Sequence, residues 1–106
     1  MSFISIAERK LILIDKKTGE KKDVNVRIGQ PFWKEIGTYA ACPVEIDGVY
    51  GRIPDICSDD LLGSLEAAIC LVDKMLTDLT DEERLLYPSG EDYKSHFDIL
   101  LKDKIK

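Results

Sequence analysis

Histidine is nearly missing from this chain: His96 stands alone among 106 residues. A structural zinc site takes four nitrogen or sulfur ligands. One histidine and three cysteines, Cys42, Cys57 and Cys70, scattered without CxxC spacing, supply no such set. No DxDxDG-like loop offers calcium its oxygens. Asp59 and Asp60 could hold magnesium, but helix capping explains them without an ion. Phosphate cradles are lacking too: neither GxGxxG nor GxxxxGKS/T occurs, and the lone glycines serve turns. The GxSxG elbow is absent, and GSLEAAI and PSGED carry serines with no base in view. No metal, cofactor or catalytic residue is therefore expected. Long apolar runs are also wanting, so no membrane span is expected. The start, MSFISIAERK, has no basic segment ahead of an apolar one, which speaks against a secretory signal. An odd number of cysteines fits a reducing compartment, and the expected location is the cytoplasm.

Positive charge is scarce where it would matter for nucleic acid. The net charge is −5. From Met1 to Ser58, nine Lys and Arg stand against eight Asp and Glu; from Asp59 to Lys106, six stand against twelve. Binding a phosphate backbone requires clustered cations that release counterions. The nearest approach is KKTGEKK, which reads as a solvated hairpin tip. Nucleic acid is an unfavoured partner, and the acidic second half suits a basic protein.

What is present is a core. Apolar residues make up 44% of the chain, enough for a single α+β domain over residues 1–106 without a metal or disulfide staple. Residues 1–57 read as β-hairpins. KLILI and DVNVRI flank DKKTGE, giving a hairpin from Arg9 to Ile28 in which Val24, Val26 and Ile28 share one face. The first strand is apolar on both sides, as expected inside a sheet. A second hairpin pairs CPVEI with VYGRI across Asp47-Gly48, read as a two-residue type I′ turn. That turn sets Ile46 against Val49, Val44 against Gly51 and Cys42 against Ile53, with Glu45 beside Tyr50 and diagonal to Arg52 on the other face. Pro43 and Pro54 lack a donor and belong at an edge or a bulge.

Residues 58–79 read as the main helix, capped by Ser58, with Leu62, Leu65, Ala68, Ile69, Val72 and Leu76 forming the buried stripe. Glu66, Asp73, Lys74 and Asp78 face outward. Residues 80–106 read as a short helix and a tail. Thr80-Asp81-Glu82-Glu83 has the capping-box pattern before ERLLY. In the tail, Tyr93, Phe97, Leu100 and Leu101 fit a helical face, and FDILL also suits a closing edge strand. The expected architecture is about four antiparallel strands packed against one long helix.

The residues allow one nucleophile arrangement and one surface reading. A Cys–His pair is the arrangement these residue types permit, and Cys57, just ahead of a helix N-terminus, is its best thiol. Two adjacent aspartates oppose that activation, and nothing in the sequence brings His96 near. As small buried hydrophobes the cysteines need no further role. The surface reading stands beside an equal alternative, in which Trp33 folds over the open edge of the sheet core. Phe32 and Trp33 follow Pro31 between the hairpins, close to Tyr39, and aromatics of this kind anchor protein interfaces. Glu45, Tyr50 and Arg52 form a second patch, and Glu66 and Asp73 lie on the acidic helix surface.

The segments RIG-P-W, CPVEIDG-YGRIPDI and D-L--SLE-AI-LV, with Ile6 to Arg9 ahead of them, resemble a family of small bacterial domains of uncharacterised function. That pattern runs from an IAER start through a CPxxIxG strand to a DxLxAL helix; Ser64 stands here where the family has Ala. The resemblance spans residues 6 to 78 and implies a fold, with no catalytic residue to carry over. Such domains are similar in character to toxin-immunity proteins, which block a toxin by binding it. The resemblance thus implies a non-enzymatic, cytoplasmic immunity or antitoxin protein whose partner is a basic toxin domain. The alternatives are an accessory domain or subunit of a non-toxin complex, and a small enzyme using Cys57 or His96.

Overall fold

The computed structural model of the chain describes residues 3–95. The first hairpin forms as its alternation predicts: β1 (Ser5–Asp15) pairs antiparallel with β2 (Lys21–Gly29), Leu11 opposite Val24 and Arg9 opposite Val26. Asp15 shapes the turn, its carboxylate accepting from the amides of Lys17 and Thr18 at 2.7 and 3.2 Å.

After Gly29 the chain continues into a third strand, β3 (Phe32–Glu35), which turns at Gly37 into β4 (Tyr39–Asp47). Both β2 and β3 pair with the same side of β4: Ile28 lies opposite Val44, and Phe32 opposite Ala41. The step from Ile28 to Phe32 is one residue longer than the step back from Val44 to Ala41. The two strands are therefore one long ribbon with an extra residue inserted around Gly29–Pro31, the signature of a bulge. On the far side of β4 lies β5 (Gly51–Ser58).

One helix follows, α1 (Leu61–Leu79), and then β6 (Glu83–Leu86), which pairs with the outer edge of β1. The result is α+β: a bent antiparallel sheet of six strands in the order β3-β4-β2-β1-β6, with β5 also on β4, and α1 packed mainly across β4 and β5. The expected count of about four strands and the expected second helix are both overturned. Thr80 ends α1, its amide and hydroxyl bonding back to the Thr77 carbonyl, instead of opening a new helix. The ERLL segment forms β6 because a four-residue helix is marginal by itself, whereas the open edge of β1 supplies ladder partners and the core takes in Leu85, which is fully buried. Tyr93 lies in an extended segment that doubles back on β6, its amide donating to the Leu85 carbonyl at 2.8 Å. Phe97, Leu100 and Leu101, and with them the expected tail helix or strand, lie outside the described residues.

The β4–β5 turn also differs. Gly48–Tyr50 form a three-residue connection, and Ile46 faces Gly51, Val44 faces Ile53 and Cys42 faces Ile56. A type I′ turn needs positive φ at both central residues. Among the described residues only glycines have positive φ, so Asp47 does not meet that demand; Gly48 and Gly51 carry it instead. From Val44 to Ile46 the shift is two residues, so the side chains there keep their predicted faces; at Cys42 it is three. The register slip between Cys42 and Val44, where three residues of β5 span two of β4, absorbs both Pro43 and Pro54, as their missing donors require.

The helix is rolled from its expected orientation. Its fully buried line is Ser64, Ala68, Val72 and Leu76, with Leu65 half-buried beside it, while Leu62 and Ile69 are exposed at 66% and 40%. The start of β4 presents Ala40 and Ala41, both at 0% exposure. The buried line of the helix is thus made partly of small residues, Ser64 and Ala68, and Leu62 is left at the flank. The cap is Asp60 and not Ser58: the Asp60 carboxylate accepts from the Gly63 amide at 2.6 Å. Ser58 belongs to β5.

Candidate functional site

The exposed large apolar residues are not scattered. Ile4 precedes β1 and Ile6 lies near its start, beside the Gly29–Pro31 crossing, with the Gln30 amide donating to the Ile4 carbonyl. Phe32 and Trp33 lie on β3, Ile36 at the tip of its turn, and Tyr39 at the start of β4. Ala40 pairs with Ser58, which brings the first helical residues, Leu61 and Leu62, to the same end. Ile36 is 88% exposed and Ile4 77%. Only Val49, Tyr50 and Ile69 among the exposed large hydrophobics of the described residues fall elsewhere. Singly exposed apolar residues are ordinary, but eight at one end of a sheet mark a candidate interaction surface.

The sequence reading reached Phe32, Trp33 and Tyr39 because they are close along the chain. It missed Ile4, Ile6, Ile36, Leu61 and Leu62. Ile36 adjoins the aromatic group in sequence and was open to notice. The others arrive by strand pairing and by the roll of the helix, for which local sequence holds no signal.

The second predicted group splits. Across the sheet face away from α1, Glu8, Arg27, Glu45 and Arg52 lie opposite one another on β1, β2, β4 and β5, alternating in sign. Arg27 and Glu45 form an ion pair at 3.1 Å. Arg52 pairs with Asp55 at 2.7 Å and also donates to the carbonyls of Val44 and Ile53. The Phe3 ring lies between both guanidinium groups, 4.8 Å from each, a doubled cation–π contact. Phe3 can settle there because Gly29 has no side chain; a Cβ at that position would come within 2.5 Å of the ring. Both arginines are thus already engaged within the protein. Next to them, Phe3, Ile4, Pro31, Phe32 and Pro43 border a shallow depression that continues the apolar end. Tyr50 sits in the β4–β5 turn at the opposite end of the sheet, away from this group.

The helical candidates part company as well. Glu66 is exposed on α1. Asp73 does not face outward as expected: it is half-buried and accepts from the Tyr93 hydroxyl and the Ser95 hydroxyl, both at 2.6 Å. Burial first, and then the hydrogen bond and charge of Asp73, raise the Tyr93 pKa above the usual phenol value.

The thiols are free. Cys42 is buried in the core, where burial and then the Asp55 charge push its pKa up. Cys57 is exposed on β5, its sulfur 3.8 Å from the Asp55 carbonyl, and it precedes the helix cap by three residues instead of capping the helix. His96 lies outside the described residues. Among the described residues no group of three or more His, Cys, Asp or Glu side chains is placed to hold a metal ion. No helix there is long and apolar enough to cross a membrane.

No family model matches the chain, and neither a curated protein nor a solved structure matches it.

Proposed function

We propose that this chain is a non-enzymatic, cytoplasmic protein-binding domain that docks a partner on the apolar end of its sheet. The observation that carries this reading is the gathering of Ile4, Ile6, Phe32, Trp33, Ile36, Tyr39, Leu61 and Leu62 at one end of the molecule. Trp33 and Phe32 are the anchors, being rigid and large, and such residues supply most of the energy at protein interfaces. In the charged row beside this end, Arg27 is paired with Glu45 and Arg52 with Asp55, and the row serves as the polar margin. Three free thiols agree with a reducing compartment.

The finer reading is an immunity or antitoxin protein that occludes a basic toxin domain. The acidic balance of the second half of the chain favours it, since complementary charge speeds encounter and rejects wrong partners.

Co-expression with the product of the neighbouring gene tests both levels. The expected result is rescue of growth and a stable complex, weakened by about 30-fold or more when Phe32 and Trp33 are both replaced by Ala, as loss of a hot spot of 2 kcal/mol or more implies. Circular dichroism of that variant should match the parent. A partner bound at the same end but harmless when expressed alone would assign the protein to an accessory role. A complex indifferent to the double substitution would reject this surface.

A further inference from the structure

The sheet is irregular along one line. Between β1 and β2 the register slips at Ile6, with Ser5 opposite Gly29 and Ala7 opposite Ile28. Beside it lies the extra residue at Gly29–Pro31, and across β4 the slip that takes in Pro43 and Pro54. Bulges bend the strands that carry them and sharpen their twist. Three at one level crease the sheet. The crease separates the buried ladder around Val24, Val26 and Ile46 from the end that carries Ile4, Phe32 and Trp33.

One aromatic side chain from just ahead of β1 is set into this crease. The Phe3 ring occupies the notch at Gly29 and lies 4.8 Å from the guanidinium of Arg27 and 4.8 Å from that of Arg52. The Phe3 carbonyl accepts from Arg27 at 3.2 Å, and the next carbonyl, of Ile4, accepts from the Gln30 amide at 3.3 Å. Arg52 belongs to the crease as well. It donates to the carbonyls of Val44 and Ile53, the facing pair at the edge of the slip, and is ion-paired with Asp55 just beyond it. Phe3 is not part of the hydrophobic core, so its removal leaves the core filled.

We propose that Phe3 is the positioning residue of the partner-binding end: clamped between Arg27 and Arg52 over Gly29, it fixes the bend at which Ile4 stands beside Phe32. The proposal rests on the reading of that end as a docking surface. The clamp spans the crease, since Arg27 reaches it from β2, Arg52 from β5, and Phe3 leads directly into Ile4. Phe3, Ile4 and Phe32 border one depression, so the ring also supplies part of its wall. Without the ring, the bond from the Gln30 amide to Ile4 stands at the end of the β1–β2 ladder, where local opening is easiest.

Amide hydrogen exchange of the full chain tests the clamp with no partner present. In Phe3→Ala the Gln30 amide should exchange about tenfold faster, the effect of two lost cation–π contacts on local opening. The amides of Val24 and Val26 should exchange as in the parent. Phe3→Tyr keeps the ring and should restore the parent's exchange at Gln30, whereas Gly29→Ala fills the notch and should reproduce Phe3→Ala. An unchanged Gln30 amide in Phe3→Ala would overturn the proposal. So would an equal acceleration at Val24 and Val26, which would make Phe3 an ordinary contributor to stability. In the complex with the neighbouring gene's product, Phe3→Ala should weaken binding about tenfold because the surface is no longer pre-formed, and Phe3→Tyr should bind as the parent does. Faster exchange with unchanged binding would also overturn it. A parent that binds nothing would remove the docking reading alone, and the exchange result would still decide whether Phe3 sets the bend.

Discussion

At Gly48 two constraints meet in one residue. Its φ is +100°, which an L side chain adopts only at a cost, and a Cβ there would collide with the Asp23 backbone carbonyl. Gly51 shares the first constraint, at φ +70°, but faces open space. The two positions therefore separate conformational strain from steric contact. Gly51→Ala should cost about 1 kcal/mol, the strain of a left-handed residue alone. Gly48→Ala should cost about 3 kcal/mol, because the rigid backbone of β2 must also move. Urea unfolding of both variants checks this ordering; equal losses would mean that the Asp23 contact does not hold the turn. Asp47-Gly48 was legible in the sequence as the place where the chain turns. The turn's length was not, because it depends on which strand backbone lies beneath it.

At the scale of elements, α1 shows how a helix can be correctly located and wrongly oriented. Its span was legible from the recurrence of apolar residues, and its end at Leu79 matches the expected boundary. Its cap is a sharper case. Ser58 and Asp60 are both good capping residues, and only the continuation of β5 through Ser58 decides between them. Asp60→Ala is expected to lower stability by about 1 kcal/mol through loss of the bond to the Gly63 amide. Ser58→Ala should stay within about 0.5 kcal/mol. Thermal or denaturant unfolding of the pair decides the matter, and a larger loss at Ser58 would restore the sequence-based cap. The same competition explains residues 83–86: local pattern favoured a helix, but the unpaired edge of β1 offered this short segment more hydrogen bonds than its own turn could.

For the molecule as a whole, burial of titratable groups makes stability depend on pH at the alkaline side. Tyr93 and Cys42 both have raised pKa values, so the native state keeps their protons where the unfolded chain has begun to release them. Their contributions are intact below the unfolded values, about 8.5 for a thiol and about 10 for a phenol, and are lost as pH rises beyond them. The urea midpoint should accordingly fall above about pH 8.5 and more steeply above about pH 10. In Tyr93→Phe the fall above about pH 10 should be shallower, since no proton is left there to lose. Identical slopes for parent and variant would show that the Asp73–Tyr93 contact is not part of the folded state in solution.

The order of residues by itself determined where backbone hydrogen bonds would be sought and which side chains would avoid water. Alternation in DVNVRI, the prolines at 43 and 54, and the helical recurrence from Leu62 to Leu76 are local demands that any fold must meet. Only the tertiary structure decided which strand lies beside which, how far the helix rolls, and that Ile4, Leu61 and Trp33 share one end of the sheet. Those outcomes depend on the packing of buried residues from different elements, such as Val26, Val44 and Ala68, and on strand edges that must find partners. Such contacts join positions far apart in the chain, so no local spacing records them.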